Sequence, residues 1–118
     1  MRYATAIWNY AEAHIPLTDL VRDFADFGYD TISFLPWQFI NCESSQAQDV
    51  VKLMDERGLA ATVHGNFDTP LDDAHRIIDL LGDRLLAMTF DAAMRPSSLG
   101  TVFDSARMAR HVQSLLDM

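Results

Sequence analysis

The sequence predicts an α/β domain with a parallel sheet, and three observations predict it. Short apolar runs of strand character alternate with amphipathic helical stretches, the alternation recurs roughly every 25 to 30 residues, and the links at the two ends of each unit differ in kind. Parallel neighbours need a crossover between them, most often a helix. Four consecutive βα units over residues 1–118 give one domain, with each crossover expected to be right-handed.

The first unit opens with a strand over Tyr3-Ala4-Thr5-Ala6-Ile7-Trp8 and reaches a loop at Asn9-Tyr10. After Pro16, Leu17, Leu20, Val21, Phe24 and Phe27 recur at helical spacing with Asp19, Arg22, Asp23 and Asp26 on the other side, and Gly28 stops the helix. In the second unit the strand Tyr29–Leu35 is broken by Pro36 and followed by Trp37-Gln38-Phe39. Ser45 and Gln48 then read as a capping box ahead of a helix whose inward positions are Ala47, Val50, Val51 and Met54, ending at Gly58.

The third unit is a short buried strand from Leu59 to His64, which leads into the polar, aromatic loop Asn66-Phe67-Asp68. Thr69-Pro70 reads as a cap and first-turn proline for a stripe of Leu71, Ala74, Ile77, Ile78 and Leu81, closed by Gly82. The fourth strand is Leu85–Phe90. It reaches Asp91 and a longer loop holding Arg95-Pro96-Ser97-Ser98 and Gly100, after which Asp104 or Ser105 caps a last helix whose apolar positions are Met108, Ala109, Val112, Leu115 and Leu116.

The links locate the working face. Helix-to-strand links are tight and centre on Gly28, Gly58 and Gly82, whereas strand-to-helix links are long and carry Trp8, Asn9, Tyr10, Trp37, Gln38, Asn66, Phe67, Asp68, Asp91 and Arg95. A βα scaffold whose strand carboxyl ends bear the site shows this asymmetry. His64 stands at such an end. Two readings of it stand side by side: a metal ligand or general acid/base, and a ring satisfied by a neighbouring backbone carbonyl. His14, in the loop after the first strand, reads as a solvent-exposed loop residue, and His75 and His111 read as helix-surface residues.

Composition narrows the function classes. A net charge of −8 argues against binding nucleic acid or an anionic membrane, since no excess of Lys and Arg exists to release counterions. The chain is 49% apolar, enough for a true core, and no run approaches the roughly 20 apolar residues that span a bilayer. With Cys42 the only cysteine and no secretory signal pattern at the amino terminus, the expected setting is the cytoplasm. Cys42 reads as a small buried hydrophobe rather than a nucleophile. Ser97-Ser98-Leu99-Gly100 is a weak phosphate-cradle candidate with Arg95 the only nearby cation, and no Walker, GxGxxG, GxSxG or HExxH motif occurs.

The run helix-Gly28-Tyr29-Asp30-Thr31-Ile32-Ser33-Phe34, followed by helix-Gly58-Leu59-Ala60-Ala61-Thr62-Val63-His64, resembles the first half of the xylose isomerase-like TIM barrels, a superfamily that includes sugar-phosphate isomerases and epimerases. The resemblance implies strands one to four and helices one to four of a (βα)8 barrel, with the site completed by a carboxyl half. It implies a divalent cation (zinc, manganese, magnesium or cobalt) and a small sugar or polyol substrate. On it, His64 matches the family's histidine at the end of strand three, as a metal ligand or catalytic proton carrier, and Asp91 falls where a second ligand stands at the end of strand four. Trp8, Trp37 and Phe67 fall where rings line the sugar pocket, and Asn9 and Asn66 where hydroxyls are bound. The chain departs from the family at Ser33, where strand two usually carries an acid, and Asp91 reads equally as a cap of its own loop.

Two further readings complete the set. A self-contained flavodoxin-like α/β binding or signalling domain without catalysis suits the length, although Trp8-Asn9 and His64 stand where a receiver domain needs acids. An unpaired strand edge also suits self-association or pairing with a carboxyl-half barrel.

Overall fold

A computed structural model describes residues 3–6, 15–65, 69–90, 94–98 and 100–117. Four strands, β1 (Ala4–Ala6), β2 (Thr31–Phe34), β3 (Ala60–Gly65) and β4 (Leu85–Phe90), form one sheet in which every neighbour pair is parallel. Helix α1 (Leu17–Asp26) links β1 to β2. A short α2 (Pro36–Ile40) and α3 (Ser44–Arg57) link β2 to β3, α4 (Leu71–Leu81) links β3 to β4, and α5 (Ser105–Leu116) follows. The βα alternation and the four-stranded parallel sheet are as the sequence predicts.

The strand order is β1-β2-β3-β4, without a reversal. A flavodoxin-like doubly wound sheet reverses direction and sets its first strand between the second and third. Here β2 lies between β1 and β3, so the flavodoxin-like architecture is not the one formed. Right-handed crossovers that always advance in one direction place their helices on one face. The core bears this out: Ile32, Phe34, Ala61 and Val63 form one cluster with Leu17 and Val21 of α1, Val50 and Met54 of α3, and Ile77 and Leu81 of α4. The alternate residues Ala4, Ala6, Thr31, Ser33, Ala60, Thr62, His64 and Thr89 share the opposite, helix-free face; Thr31 and Ala60, at its amino end, are buried and the others are half-buried or exposed.

Boundaries follow from local chemistry. Gly58 takes φ 65° and ψ 35°, the left-handed conformation that turns α3 directly into β3. The Ser45–Gln48 capping box does not form, because the N-cap is Glu43, two residues before Ser45, and the helix begins at Ser44. Asp104 does cap α5, accepting the Arg107 backbone N–H at 3.0 Å. Pro36 breaks β2 and occupies the first position of α2, where the Gln38 side chain accepts the Leu35 N–H at 2.8 Å. Phe39 then lies against Phe34, ring centroids 4.8 Å apart.

Two further expectations are corrected. The stretch read as a long loop contains an antiparallel hairpin, β5 (Met94–Ser97) with β6 (Gly100–Phe103). Gly100 adopts φ 106° at its turn, and the Ser97 hydroxyl donates to the Gly100 carbonyl at 3.0 Å, so this serine serves a strand turn rather than a phosphate cradle at a helix start. His111 is not on the surface: it is 8% exposed and meets Phe90 edge-on, ring centroids 4.8 Å apart. Its place on the inward side of α5 seals the helix against the end of β4. His75 is half-buried. No helix among the described residues is long and apolar enough to cross a membrane.

Candidate functional site

The two rims of the sheet are built differently. At the amino ends of the strands, ion pairs staple the helix ends together. Arg84 donates from Nε and Nη2 to the two carboxylate oxygens of Asp55 and from Nη1 to the Leu81 carbonyl, and Arg57 pairs with Asp26. The Arg84 guanidinium holds the Asp55 carboxyl below the ordinary carboxylate range. Nearby, Asp30 accepts the Tyr3 N–H at 2.9 Å and fixes the start of β1 on β2.

The carboxyl rim carries His64. Strand alternation sends Val63 and Gly65 to the helix-covered face and His64 to the other. There the ring sits opposite Thr89 in the β3–β4 register, with Thr89 Oγ1 3.0 Å from His64 Nδ1. A hydroxyl at Nδ1 orients the ring and serves either tautomer: when Nδ1–H donates to Thr89, the basic nitrogen is Nε2, and when the hydroxyl donates, Nε2 carries the proton. On the same face, Ser33 and Thr62, directly opposite one another, are joined by a short hydroxyl–hydroxyl hydrogen bond. Two cross-strand polar pairs thus run from β2 to β4. Ser33 is engaged by Thr62 and supplies no charge.

Gly65 makes this geometry possible. A Cβ there would lie 3.0 Å from the Thr89 carbonyl oxygen and 3.2 Å from the Phe90 ring. The glycine therefore lets the end of β4 close onto β3, which brings Thr89 to His64 on one face and Phe90 to His111 on the other. A register shift between Ala61 and Thr62, with Leu86 the extra residue on β4, sets the phase in which Thr89 meets His64.

Of the other predicted site residues, Trp37 lies on α2 and is partly exposed. It lines a shallow cavity with Ile15, Leu17, Leu20, Asn41 and Gln46, and His64 is not among those lining residues. Trp8, Asn9, Asn66, Phe67 and Asp91, with His14, fall outside the described residues. Among the described residues no three His, Cys, Asp or Glu side chains group together as a metal site. His64 is one imidazole donor where a catalytic divalent site takes about three protein ligands. Cys42 donates its thiol to the Glu43 carbonyl at 3.3 Å and lines a second cavity, of about 140 Å³, with Phe39, Arg76 and Ile77. Burial pushes its thiol up, which disfavours the thiolate a nucleophile needs.

Thr89 and Thr62 are the site residues that sequence reasoning missed. One signal was present: His64 and Thr89 are each the penultimate residue of a six-residue strand, so similar strand lengths place them side by side. The bulge at Leu86 is invisible in the sequence, and it decides the matter. The chain matches no protein-family model, and no curated protein matches it.

Proposed function

We propose that this chain is the amino-terminal half of a metal-dependent sugar or polyol isomerase or epimerase barrel of the xylose isomerase-like type, acting in the cytoplasm. A single observation carries the reading: a sheet that advances in one direction beneath helices on one face carries an oriented imidazole on its other face, at the carboxyl ends of the strands. Activity belongs to the completed barrel, in which a carboxyl half supplies the remaining ligands.

His64 is the ligand or proton carrier of this half. The Thr89 hydroxyl at Nδ1 is the kind of partner that steadies an imidazole so that its other nitrogen meets a metal or a proton. A divalent ion, when bound, polarises a carbonyl or hydroxyl of the substrate. Asp91 is assigned as an oxygen ligand. Trp8 and Phe67 stack on the apolar face of the sugar, and Asn9 and Asn66 hold its hydroxyls. The Ser33–Thr62 pair presents neutral hydroxyls beside the ring, which suits a polyol better than a phosphate.

Titration of the isotope-labelled chain with manganese tests this. Paramagnetic broadening centred on the His64 ring and lost in His64→Ala supports the reading. Broadening spread over the exposed aspartates of the helices, unchanged in that variant, overturns it. Co-expression with a carboxyl-half barrel extends the test to turnover, which His64→Ala should reduce by at least about 100-fold for a group that moves the proton.

A further inference from the structure

We infer that two copies of this chain close on one another about a two-fold axis parallel to the strands, β4 of each pairing with β1 of the other, to form an eight-stranded parallel barrel. The inference deepens the half-barrel reading and names its partner. Among the described residues β1 and β4 each have a strand neighbour on one side only. Unpaired edges leave a row of backbone donors and acceptors open to a further strand. A two-fold axis along the strands preserves their direction, so both new seams are parallel, as the existing three are.

Side chains at the two margins complement one another. Next to β1 and α1, Tyr3 and Phe27 are 59% and 77% exposed; next to β4 and α5, Leu86 and Leu116 are 52% and 73% exposed. On α5, Ala109, Val112 and Leu116 form an exposed stripe at i, i+3 and i+7, distinct from the face that buries His111. Charge is complementary as well. Within a chain of net charge −8, α5 carries Arg107 and Arg110 and no acid, whereas α1 carries Asp23 and the Asp19–Arg22 pair, its third acid, Asp26, being held by Arg57 of α3. Closure places α5 of one copy beside α1 of the other.

A second copy is the occupant these features favour, because the edges match each other in strand direction, apolar margin and charge. Two such sheets also supply the eight strands of a closed parallel barrel. The helix-free faces, lined by Ala4, Ala6, Ser33, Thr62 and Thr89, turn inward, and the two His64 rings come to one rim. A single copy therefore holds half of that rim.

Sedimentation and light scattering across micromolar to millimolar protein, combined with amide exchange, test the closure. The expected result is a mass of two chains with amides of β1 and β4 protected. Val112→Asp with Leu116→Asp, and separately Phe27→Asp, should each weaken the dimer at least tenfold while circular dichroism stays unchanged. Mixing these two variants should restore pairing in part, since a mixed dimer keeps one unaltered seam whereas either homodimer has none. A folded monomer at every concentration overturns the second copy and points to a separate carboxyl half; the manganese titration then still decides His64 on its own. Mass that grows without limit overturns closure in favour of open stacking. A dimer indifferent to both margins overturns the seams.

Discussion

The two faces of the four-stranded sheet come from alternate residues of the same strands, yet they do different work. On the helix-covered face Ile32, Phe34, Ala61 and Val63 are buried to within one per cent and make contacts that only bulk and shape satisfy. On the other face Ser33, Thr62, His64 and Thr89 are small or polar, partly open, and joined by hydrogen bonds across strands. Each strand thus keeps one row packed into the core and one row of smaller or polar side chains on the open face. Substitutions on the first should be read in unfolding, and on the second in titration and binding.

The sharpest test of that division is Phe34→Ala. It removes a fully buried ring that contacts Phe39 and should cost about 3–5 kcal/mol, read by chemical denaturation. If instead the protein lost little stability, the covered face would not be the core. Gly65→Ala comes next. The added methyl has 3.0 Å to a backbone oxygen and 3.2 Å to Phe90, so we expect a loss of about 1–3 kcal/mol from overpacking, with chemical-shift changes at both Thr89 and His111. Because Gly65 joins the two faces, it is the position where a stability variant should also disturb the His64 ring.

Smaller effects sharpen the comparison further. Ser33→Ala or Thr62→Val alone should cost about 1 kcal/mol by leaving one hydroxyl without its partner, while the double substitution should approach neutrality. Double-mutant-cycle denaturation measures the coupling, and simple additivity of the two losses would show that the pair is not coupled. On the amino rim, Asp55 is the better acid in the folded chain, because Arg84 favours its charged form. The ion pair's contribution is therefore whole above the unfolded carboxyl pKa of about 3.9 and fades as pH falls through the lower folded value. Arg84→Gln should remove that part of the acid dependence, seen as a flatter stability–pH curve below about pH 4. The smallest expected change in stability is that of Thr89→Val, within about 0.5 kcal/mol for an exposed site. Nitrogen chemical shifts of His64 should nonetheless report an altered tautomer balance; unchanged shifts would remove Thr89 as the orienting group.

Much of the fold was legible from residues. Leu17, Leu20 and Val21, or Ala74, Ile77 and Leu81, repeat at the spacing of a helix face, and all six are buried as that spacing requires. Gly58 was readable as a helix stop because few side chains tolerate a φ of 65°. The α2 turn and the β5–β6 hairpin were not. Pro36 signals a break without saying that a helix begins there, and Met94–Ser97 has no strand alternation strong enough to outweigh its proline. Of the candidate site, His64 and its rim could be chosen from its position at a strand end, but its partner could not.

What the sequence determined by itself is the local grammar: where helices and strands form, which side of each is apolar, and that His64 ends a strand. These depend on backbone torsions and on periods of two and 3.6 residues, which neighbouring residues fix between them. Only the tertiary structure decided that the sheet advances without reversal, that Thr89 meets His64, and that His111 lies beneath Phe90. Each joins residues separated along the chain through the register of two strands or the docking of a helix. Register is the outcome of packing the whole face at once, here shifted by one residue at Leu86, and no local pattern carries it.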